Sequence, residues 1–204
     1  SEERKTFQDL LQFEDVFVPY HEVEHPQYGT ILVGGTKKYS SRVTPPWMLE
    51  EGCHRNFAFT MFHADEMPKL SWGALQVKKL GDRLWKVTLE VVNDKLIPSR
   101  TAMAAKHKIG MPDILTCNTT LSCSVAASGT VRSLLPDTKL KAQDSKRPER
   151  IVVNSGIGSN GSTLFQFVIN GNGSVVFQYA AEKGGTIERS VKLVEQFIPK
   201  PIKH

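Results

Sequence analysis

The residues best suited to hold a metal ion lie in two copies of the pattern HxxE. His21 and Glu24 form the first copy, with His25 directly after it, and His63 and Glu66 form the second. A catalytic zinc ion takes about three protein ligands of this kind and keeps one position open. His21, Glu24 and His25 are therefore the candidate metal ligands. Because so short a pattern often arises by chance, we favour exposed polar residues for the first copy and a helix-terminal polar pair for the second.

A second pattern, GxGxxG, is formed by Gly156, Gly158 and Gly161. In dinucleotide-binding proteins a helix begins within this pattern, and the pyrophosphate lies at the N-terminus of that helix. Here residues 162–169 follow, and their composition is typical of a strand. We therefore predict a flexible loop and no dinucleotide site. The sequence also lacks the GxSxG pattern of a serine nucleophile, so no residue is assigned a catalytic role.

The three cysteines, Cys53, Cys117 and Cys123, are too few and too odd in number for a disulfide framework. Cys117 and Cys123 lie in a segment with the pattern of a single strand. On one strand their Cα atoms would be about 20 Å apart, which excludes a disulfide between them. We predict buried free thiols.

Composition indicates an ordinary globular protein. The chain has 204 residues, of which 40% are hydrophobic and 23% are charged, and its net charge is +5 with a pI near 9.1. That length fits one domain and a smaller piece. The basic residues are scattered among acids, which favours a solvated surface over a nucleic-acid groove. No run reaches the roughly 18 apolar residues of a membrane-spanning helix.

The first third of the chain contains one strong helix signal, over residues 45–67. Pro45-Pro46 gives it a rigid start and Pro68 ends it. Apolar residues recur every fourth position in this segment, which predicts a helix packed along one face. They are Leu49, Cys53, Phe57 and Met61. Before it, residues 6–17 suggest a turn or two of helix, and residues 28–35 read as one short strand.

After Pro68 the apolar residues alternate with polar ones, which is typical of half-buried antiparallel strands. The Asn-Gly pairs of residues 170–173 predict a hairpin between two of these strands. We predict a mainly β protein, an antiparallel Ig-like β-sandwich of about seven to nine strands, preceded by a short strand and one amphipathic helix. The predicted strands cover residues 74–80, 83–92, 98–107, 114–126, 130–135, 149–154, 164–169, 175–179 and 187–193.

Two segments carry a resemblance to a known family. Residues 17–35 read FVPYHEVEHPQYGTILVGG, and after Pro45-Pro46 residues 50–68 read EEGCHRNFAFTMFHADEMP. With VKKLGDRLWKV and VVNDKLIPS within residues 77–99, they resemble the C-terminal portion of bacterial zinc metallocarboxypeptidases, the carboxypeptidase A-like peptidases. Asp94, Lys95 and Ser99 depart from the wording usual in that family.

The resemblance implies two parts. Residues 1–68 would be the C-terminal strand and helix segment of a peptidase domain, and residues 69–204 an accessory β-sandwich. In that family the zinc ligands, the substrate-binding residues and the catalytic glutamate lie upstream of the segment that this chain matches. The resemblance therefore implies no cofactor in this chain, zinc in the parent enzyme, and a secreted or periplasmic protein whose export signal lies outside these residues.

The expected function is that of a non-catalytic region which stabilises or targets the upstream peptidase domain. The parent enzyme would remove C-terminal residues from peptides. One alternative is a free-standing module that binds a peptide, a glycan or a cell surface through the loops at 155–162 and 182–186. For such a module we expect Trp47 and Trp85 to be core residues and Trp72 to be the tryptophan whose exposure matters. The other alternative is a metal hydrolase built on the candidate ligands at 21–25.

Overall fold

The structure, a computed structural model, describes residues 2–13, 15–38, 40, 44–135, 138–143 and 146–194. The chain divides into two compact units, residues 1–62 and 63–204. The last ten residues of the predicted 69–204 domain lie outside the described part. None of the described helices is long and apolar enough to cross a membrane.

The N-terminal unit consists of helices and one β-hairpin. Helix α1 spans Glu2–Leu11, and strands β1 (Phe17–His25) and β2 (Gly29–Thr36) pair antiparallel. The strand predicted over residues 28–35 is thus the second strand of a hairpin. The first strand escaped prediction because its proline, histidines and glutamates hide the alternation that marks a strand.

Helix α2 spans Leu49–Asp65 and follows a single 3₁₀ turn over Pro46–Met48. It is the helix predicted over residues 45–67, and it runs from the first unit into the second. No residue of α2 is buried. The apolar face inferred from the sequence is therefore present but uncovered in this chain.

The second unit is a sandwich of two antiparallel sheets. One sheet has the strand order β11-β10-β5-β8 and the other β3-β4-β9-β6-β7. With nine strands in these sheets, the predicted mainly β, antiparallel sandwich is confirmed. Its elements are β3 (Leu70–Gly81), β4 (Leu84–Asn93), α3 (Ala102–His107), β5 (Asp113–Thr119), β6 (Cys123–Val131), β7 (Lys141–Ala142), β8 (Arg150–Val153), β9 (Gly161–Gly171), β10 (Gly173–Ala181) and β11 (Gly185–Leu193).

The core lies between the two sheets and is built from alternate residues of each strand. Trp85, Val87, Leu89 and Val91 of β4 are all buried, as their period of two predicts. From the neighbouring strand β9, Phe167 packs on Phe177 of the other sheet with ring centroids 5.1 Å apart. The hairpin predicted at residues 170–173 is wrong. β9 ends at Gly171 and β10 begins at Gly173, but the two strands lie in different sheets and do not pair, so the chain crosses from one sheet to the other at Asn172.

Three predicted strands were wrong in detail. Residues 98–107 contain helix α3 and not a strand. Residues 114–126 form two strands, β5 and β6, because the chain turns at 120–122 and crosses to the other sheet. The predicted strand at 130–135 is only the end of β6, which stops at Val131.

The turn at 120–122 separates Cys117 from Cys123. Cys117 lies on β5 and Cys123 on β6, so they belong to different sheets and not to one strand. Both are buried free thiols, as predicted, whereas Cys53 on α2 is exposed.

Candidate functional site: a clamped loop at one end of the sandwich

The candidate metal ligands on β1 are not brought together. Alternation along the strand points His21 and His25 to one side of the hairpin and Glu24 to the other. Each side chain bonds within the hairpin: His21 Nδ1 lies 3.1 Å from the Pro19 carbonyl oxygen, and Glu24 accepts a hydrogen bond from the Thr30 hydroxyl. Across the described residues, no group of three or more His, Cys, Asp or Glu side chains could hold a metal ion.

Glu66, of the second HxxE pattern, fastens the end of α2 to the sandwich. Its carboxylate accepts from the Leu96 backbone N–H at 2.8 Å, and its carbonyl oxygen accepts from the Ile97 N–H at 3.1 Å. Beside it, Lys95 donates to the Asp65 carboxylate at 2.6 Å, and this bond holds the pKa of Asp65 below its usual value. The chemistry at this point is therefore that of an anchor between the helix and the 94–98 segment.

The GxGxxG segment runs directly into strand β9, so no helix N-terminus is available for a pyrophosphate. Its first glycine packs against the polypeptide that leads into α3. Gly156 has a φ of +64°, and a Cβ atom there would lie 2.6 Å from Ser99 Oγ and 2.8 Å from the Arg100 backbone nitrogen. The next residue, Ile157, is fully buried. This part of the predicted loop is therefore a core component.

Beneath this packing lies a buried polar network. The Asp113 carboxylate accepts from the Ser99 hydroxyl and, at 2.9 Å, from the Tyr179 hydroxyl. Ser99 Oγ in turn accepts from the Ile157 N–H at 2.7 Å. Burial, reinforced by the nearby Asp113 charge, raises the pKa of Tyr179 well above its usual value. The tyrosine therefore stays protonated and remains a donor to Asp113.

Arg100, which follows Ser99 in the sequence, bonds to a surface loop. Its side chain is buried, and Nη2 donates to the carbonyl oxygens of Ala104 at 3.2 Å and Ile109 at 3.1 Å. Both acceptors belong to residues 101–111, which we name the α3 loop. A charge-assisted bond to each carbonyl fixes the path of the loop over the sandwich.

The α3 loop is also closed at both ends. The Thr101 side chain caps helix α3 by accepting from the Ala104 N–H, and Lys108 ends the helix in the left-handed conformation with a φ of 54°. After the helix, the Met111 N–H donates to Glu182 at 3.0 Å. Hydrogen bonds therefore hold the backbone of the loop at its start and after helix α3.

This held loop exposes large apolar side chains. Met103 is 64% exposed, Ile109 is 59% exposed and Met111 is 65% exposed. Lys106 and Lys108 are exposed between them. Apolar and cationic side chains presented together on a rigid backbone can contact a partner with little loss of entropy. The α3 loop is the candidate binding site of the sandwich.

Sequence reasoning missed this loop because residues 98–107 were interpreted as a strand. The signal was available: a Thr at the cap, then the strong helix formers Ala102 to Ala105, then basic residues and Gly110. The 155–162 loop is packed at Gly156 and Ile157, and the 182–186 turn supplies Glu182 to the α3 loop.

The tryptophans divide as follows. Trp85 is a core residue, as predicted, and its indole N–H donates to Asn172 at 3.0 Å. Trp72 is half-buried. Trp47 is 55% exposed, so its predicted place in a core is wrong for this chain.

Comparison with known proteins gives one family and one distant structural likeness. The sequence profile described as "Domain of unknown function (DUF8731)" matches residues 69–192, more than half of the chain. No curated protein matches. Among solved structures, the chain is similar to the solution NMR structure of a conjugate transposon protein (27–141) from Bacteroides vulgatus, with 10% identity over 68% of this chain and 93% of that one. The TM-score of 0.35 is too low to indicate a shared fold.

Proposed function

This chain belongs to the DUF8731 family, a family of domains of unknown function. From its exposed apolar surfaces and its sequence resemblance, we propose that it is the non-catalytic C-terminal region of a zinc metallocarboxypeptidase-like protein. Its partner is an upstream peptidase domain, which holds the zinc and removes C-terminal residues from peptides. This chain stabilises or targets that domain. The observation that carries the proposal is helix α2, whose large apolar side chains lie uncovered.

Large apolar side chains of α2 are more than half exposed. Phe57 and Phe59 are 64% and 65% exposed, and Leu49, Met61 and Phe62 are also more than half exposed. Leu49, Phe57 and Met61 lie on the face that recurs every fourth residue. A helix with such a face normally buries it against another element. Burying each of these side chains would contribute about 1.5–3 kcal/mol.

The β1–β2 hairpin also lacks a core of its own. A two-stranded hairpin is marginal in water unless another layer covers it. Here Phe17, Tyr20, Leu32 and Val33 are all exposed. Further strands or helices must pack on this hairpin if it is to persist as the structure has it.

The proposed identity of the missing layer rests on the resemblance described above. The uncovered hairpin and helix fall within residues 17–35 and 50–68, the segments that resemble the end of a metallocarboxypeptidase domain. A peptidase domain would therefore meet the surface that lacks a partner. This agreement between resemblance and exposure favours a peptidase domain over an unrelated protein.

The sandwich would act on that domain through the anchor at the end of α2. Asp65 and Glu66 are bonded to Lys95, Leu96 and Ile97 of the sandwich. A helix inserted in the peptidase domain and fastened at this end would couple the stability of the two domains. The sandwich would stabilise the enzyme without touching its zinc.

Amide hydrogen exchange tests the proposal. The gene should encode a peptidase domain upstream, and exchange in α2 should be fast in the isolated chain and slow in the joined protein. Strands β4 and β9 should exchange equally slowly in both. Rapid exchange of α2 in the joined protein, or no upstream peptidase domain, would contradict the proposal.

A matched pair of variants sharpens the test. Phe57→Asp with Phe59→Asp should destabilise the joined protein and lower its peptidase activity. Leu121→Asp, at a fully exposed apolar residue in the β5–β6 turn, should leave both unchanged. Equal effects of the two changes would argue against α2 as the docking element.

Metal content separates the proposal from the metal hydrolase alternative. Under the proposal, the purified chain should contain no stoichiometric zinc and should lack carboxypeptidase activity, and His21→Ala should change neither. Elemental analysis and a peptidase assay on one sample measure both. Zinc that is lost in His21→Ala or His25→Ala would overturn the proposal.

A free-standing binding module is the second candidate, and the α3 loop is the observation that favours it. Under this alternative the chain binds a glycan or protein through that loop and needs no peptidase domain. Binding that persists in the isolated chain, together with unchanged exchange of α2 on joining, would support the module.

A further inference from the structure

We infer that the α3 loop attaches the sandwich to an anionic phospholipid surface. This inference goes beyond the proposed function, because it concerns a different surface and does not need a peptidase domain. It rests on the exposed side chains of the loop, on its clamped backbone and on the residue that ends helix α3.

The loop combines the two kinds of side chain that a bilayer surface takes up. Met103, Ile109 and Met111 are each more than half exposed, and Lys106 and Lys108 are exposed among them. Apolar side chains enter the boundary between headgroups and acyl chains, while lysines remain at the anionic headgroups. All five residues lie within the nine positions 103–111, in a segment that hydrogen bonds hold against the sandwich.

The backbone of the loop is already in place before any contact. Arg100 donates to the carbonyl oxygens of Ala104 and Ile109, and Glu182 accepts from the Met111 N–H. A loop held in this way loses little conformational freedom on binding. The network thus explains why apolar side chains can be presented to solvent instead of folding back onto the sandwich.

Lys108 is the residue that points to an anionic partner. It adopts a φ of 54° at the end of α3, a position where glycine is usual and a side chain is strained. A lysine at this position supplies a charge beside Ile109, at a φ that strains any side chain with a Cβ. A residue that breaks a local rule at an exposed site is a sign of function.

A lipid surface suits the loop better than an acidic protein does. Apolar side chains that protrude need a matching pocket on a protein partner, whereas a bilayer accepts them without one. The net charge of +5 adds attraction to any anionic surface. The chemistry therefore favours a phospholipid headgroup layer with acyl chains beneath it.

Vesicle sedimentation of the full chain tests the inference. Vesicles of phosphatidylcholine alone are compared with vesicles that contain equal parts of phosphatidylcholine and phosphatidylserine. The chain should sediment with the phosphatidylserine vesicles and not with the neutral ones, and added salt should release it. Equal binding to both kinds, or binding to neither, would overturn the inference.

Loop variants assign the binding to named residues. Lys108→Gly should weaken vesicle binding about fivefold, and because glycine relieves the left-handed strain, the loss cannot come from unfolding. Met103→Ser with Met111→Ser should weaken it by at least about tenfold. Lys192→Gln on β11 and Leu121→Ser at the opposite end of β5 are the matched controls and should bind as the unchanged chain does.

One further variant keeps this inference separate from the proposed function. Phe57→Asp with Phe59→Asp removes apolar surface from α2 and should retain vesicle binding. If that variant loses binding while the loop variants retain it, α2 and not the α3 loop contacts lipid, and the inference is wrong. The inference would also be wrong if the unchanged chain bound no vesicles but did bind an acidic polypeptide such as polyglutamate, and if Lys108→Gly lost that binding. Such a result would identify a protein partner.

Discussion

The two units of this protein place their aromatic residues in opposite environments. In the sandwich, Phe165, Phe167 and Phe177 are fully buried between the sheets. In the N-terminal unit and along α2, Phe57, Phe59 and others of the same type face solvent. Both regions have regular backbone hydrogen bonds, so the difference lies in tertiary packing alone. One unit has the second layer that its apolar face requires, and the other does not.

A segment can therefore have regular secondary structure without burying its apolar side chains in a core. The nine strands of the two sheets cover each other, whereas the hairpin and the helices α1 and α2 leave most of their surface exposed. A family profile that matches residues 69–192 agrees with a sandwich that is a unit in its own right. The following predictions test the contrast between the units, from the largest effect to the smallest.

Truncating one aromatic residue in each unit should lower the free energy of unfolding by very different amounts. Phe167→Ala opens a cavity in the sandwich core beside Phe177 and should lower the free energy of unfolding by about 3–5 kcal/mol. Phe57→Ala in the isolated chain should change it by less than about 0.5 kcal/mol. Denaturant titration measures both. Similar losses for the two variants would mean that α2 packs within this chain.

The glycines of the GxGxxG segment should differ just as clearly. Gly156→Ala places a methyl group against Ser99 and the Arg100 backbone in a left-handed conformation, and should cost about 2–4 kcal/mol. Gly158→Ala meets no atom within 4 Å and should be nearly neutral. Thermal unfolding of the two variants checks this. If Gly156→Ala left the stability unchanged, Ser99 and the Arg100 backbone would have to move aside at little cost in free energy.

Cys117 in the sandwich and Cys53 on α2 should differ in how they affect the free energy of unfolding at alkaline pH. Burial, together with the nearby Cys123, raises the pKa of Cys117 to about 12. The protonated thiol is favoured in the folded state, so its contribution is fully present below the unfolded pKa and is lost as the pH rises toward 12. The loss should be about 1.4 kcal/mol per pH unit above roughly pH 9.

Unfolding free energies measured over that interval decide the point. Cys117→Ala should have a shallower dependence by about one proton, while Cys53→Ala on exposed α2 should follow the unchanged chain. A thiol reagent should modify Cys53 in the folded protein and reach Cys117 only on unfolding.

The smallest effect should come from the end of helix α3. Lys108→Gly removes a side chain from a left-handed position and should raise stability by about 0.5–1 kcal/mol. Lys106→Gly, within the same helix, should lower it by about 1 kcal/mol. Chemical denaturation resolves the opposite signs. A loss in Lys108→Gly would mean that the lysine stabilises the fold, which would weaken the argument for its binding role.

Much of the sandwich could be predicted from periodicity. The alternation at Trp85, Val87 and Leu89 is a local signal, and it predicts which face of β4 is buried. The Asn-Gly pairs before β10 mark a turn, but they do not show that the chain crosses there to the other sheet. The candidate site could not be predicted in the same way. A short helix such as α3 has too few residues for a period, and its two clamps come from Arg100 and from Glu182, which is distant in the sequence.

Local patterns in the sequence were enough to predict most strands of the sandwich and a helix over residues 45–67, although they missed β1 and α3. Only the tertiary structure decided which residues meet. Asp113 and Tyr179 are 66 positions apart and share a buried hydrogen bond, and Cys117 and Cys123 are close in sequence yet lie on different sheets. The physical reason is that periodicity reports which face of an element seeks burial, whereas the partner that buries it is set by packing across the whole chain.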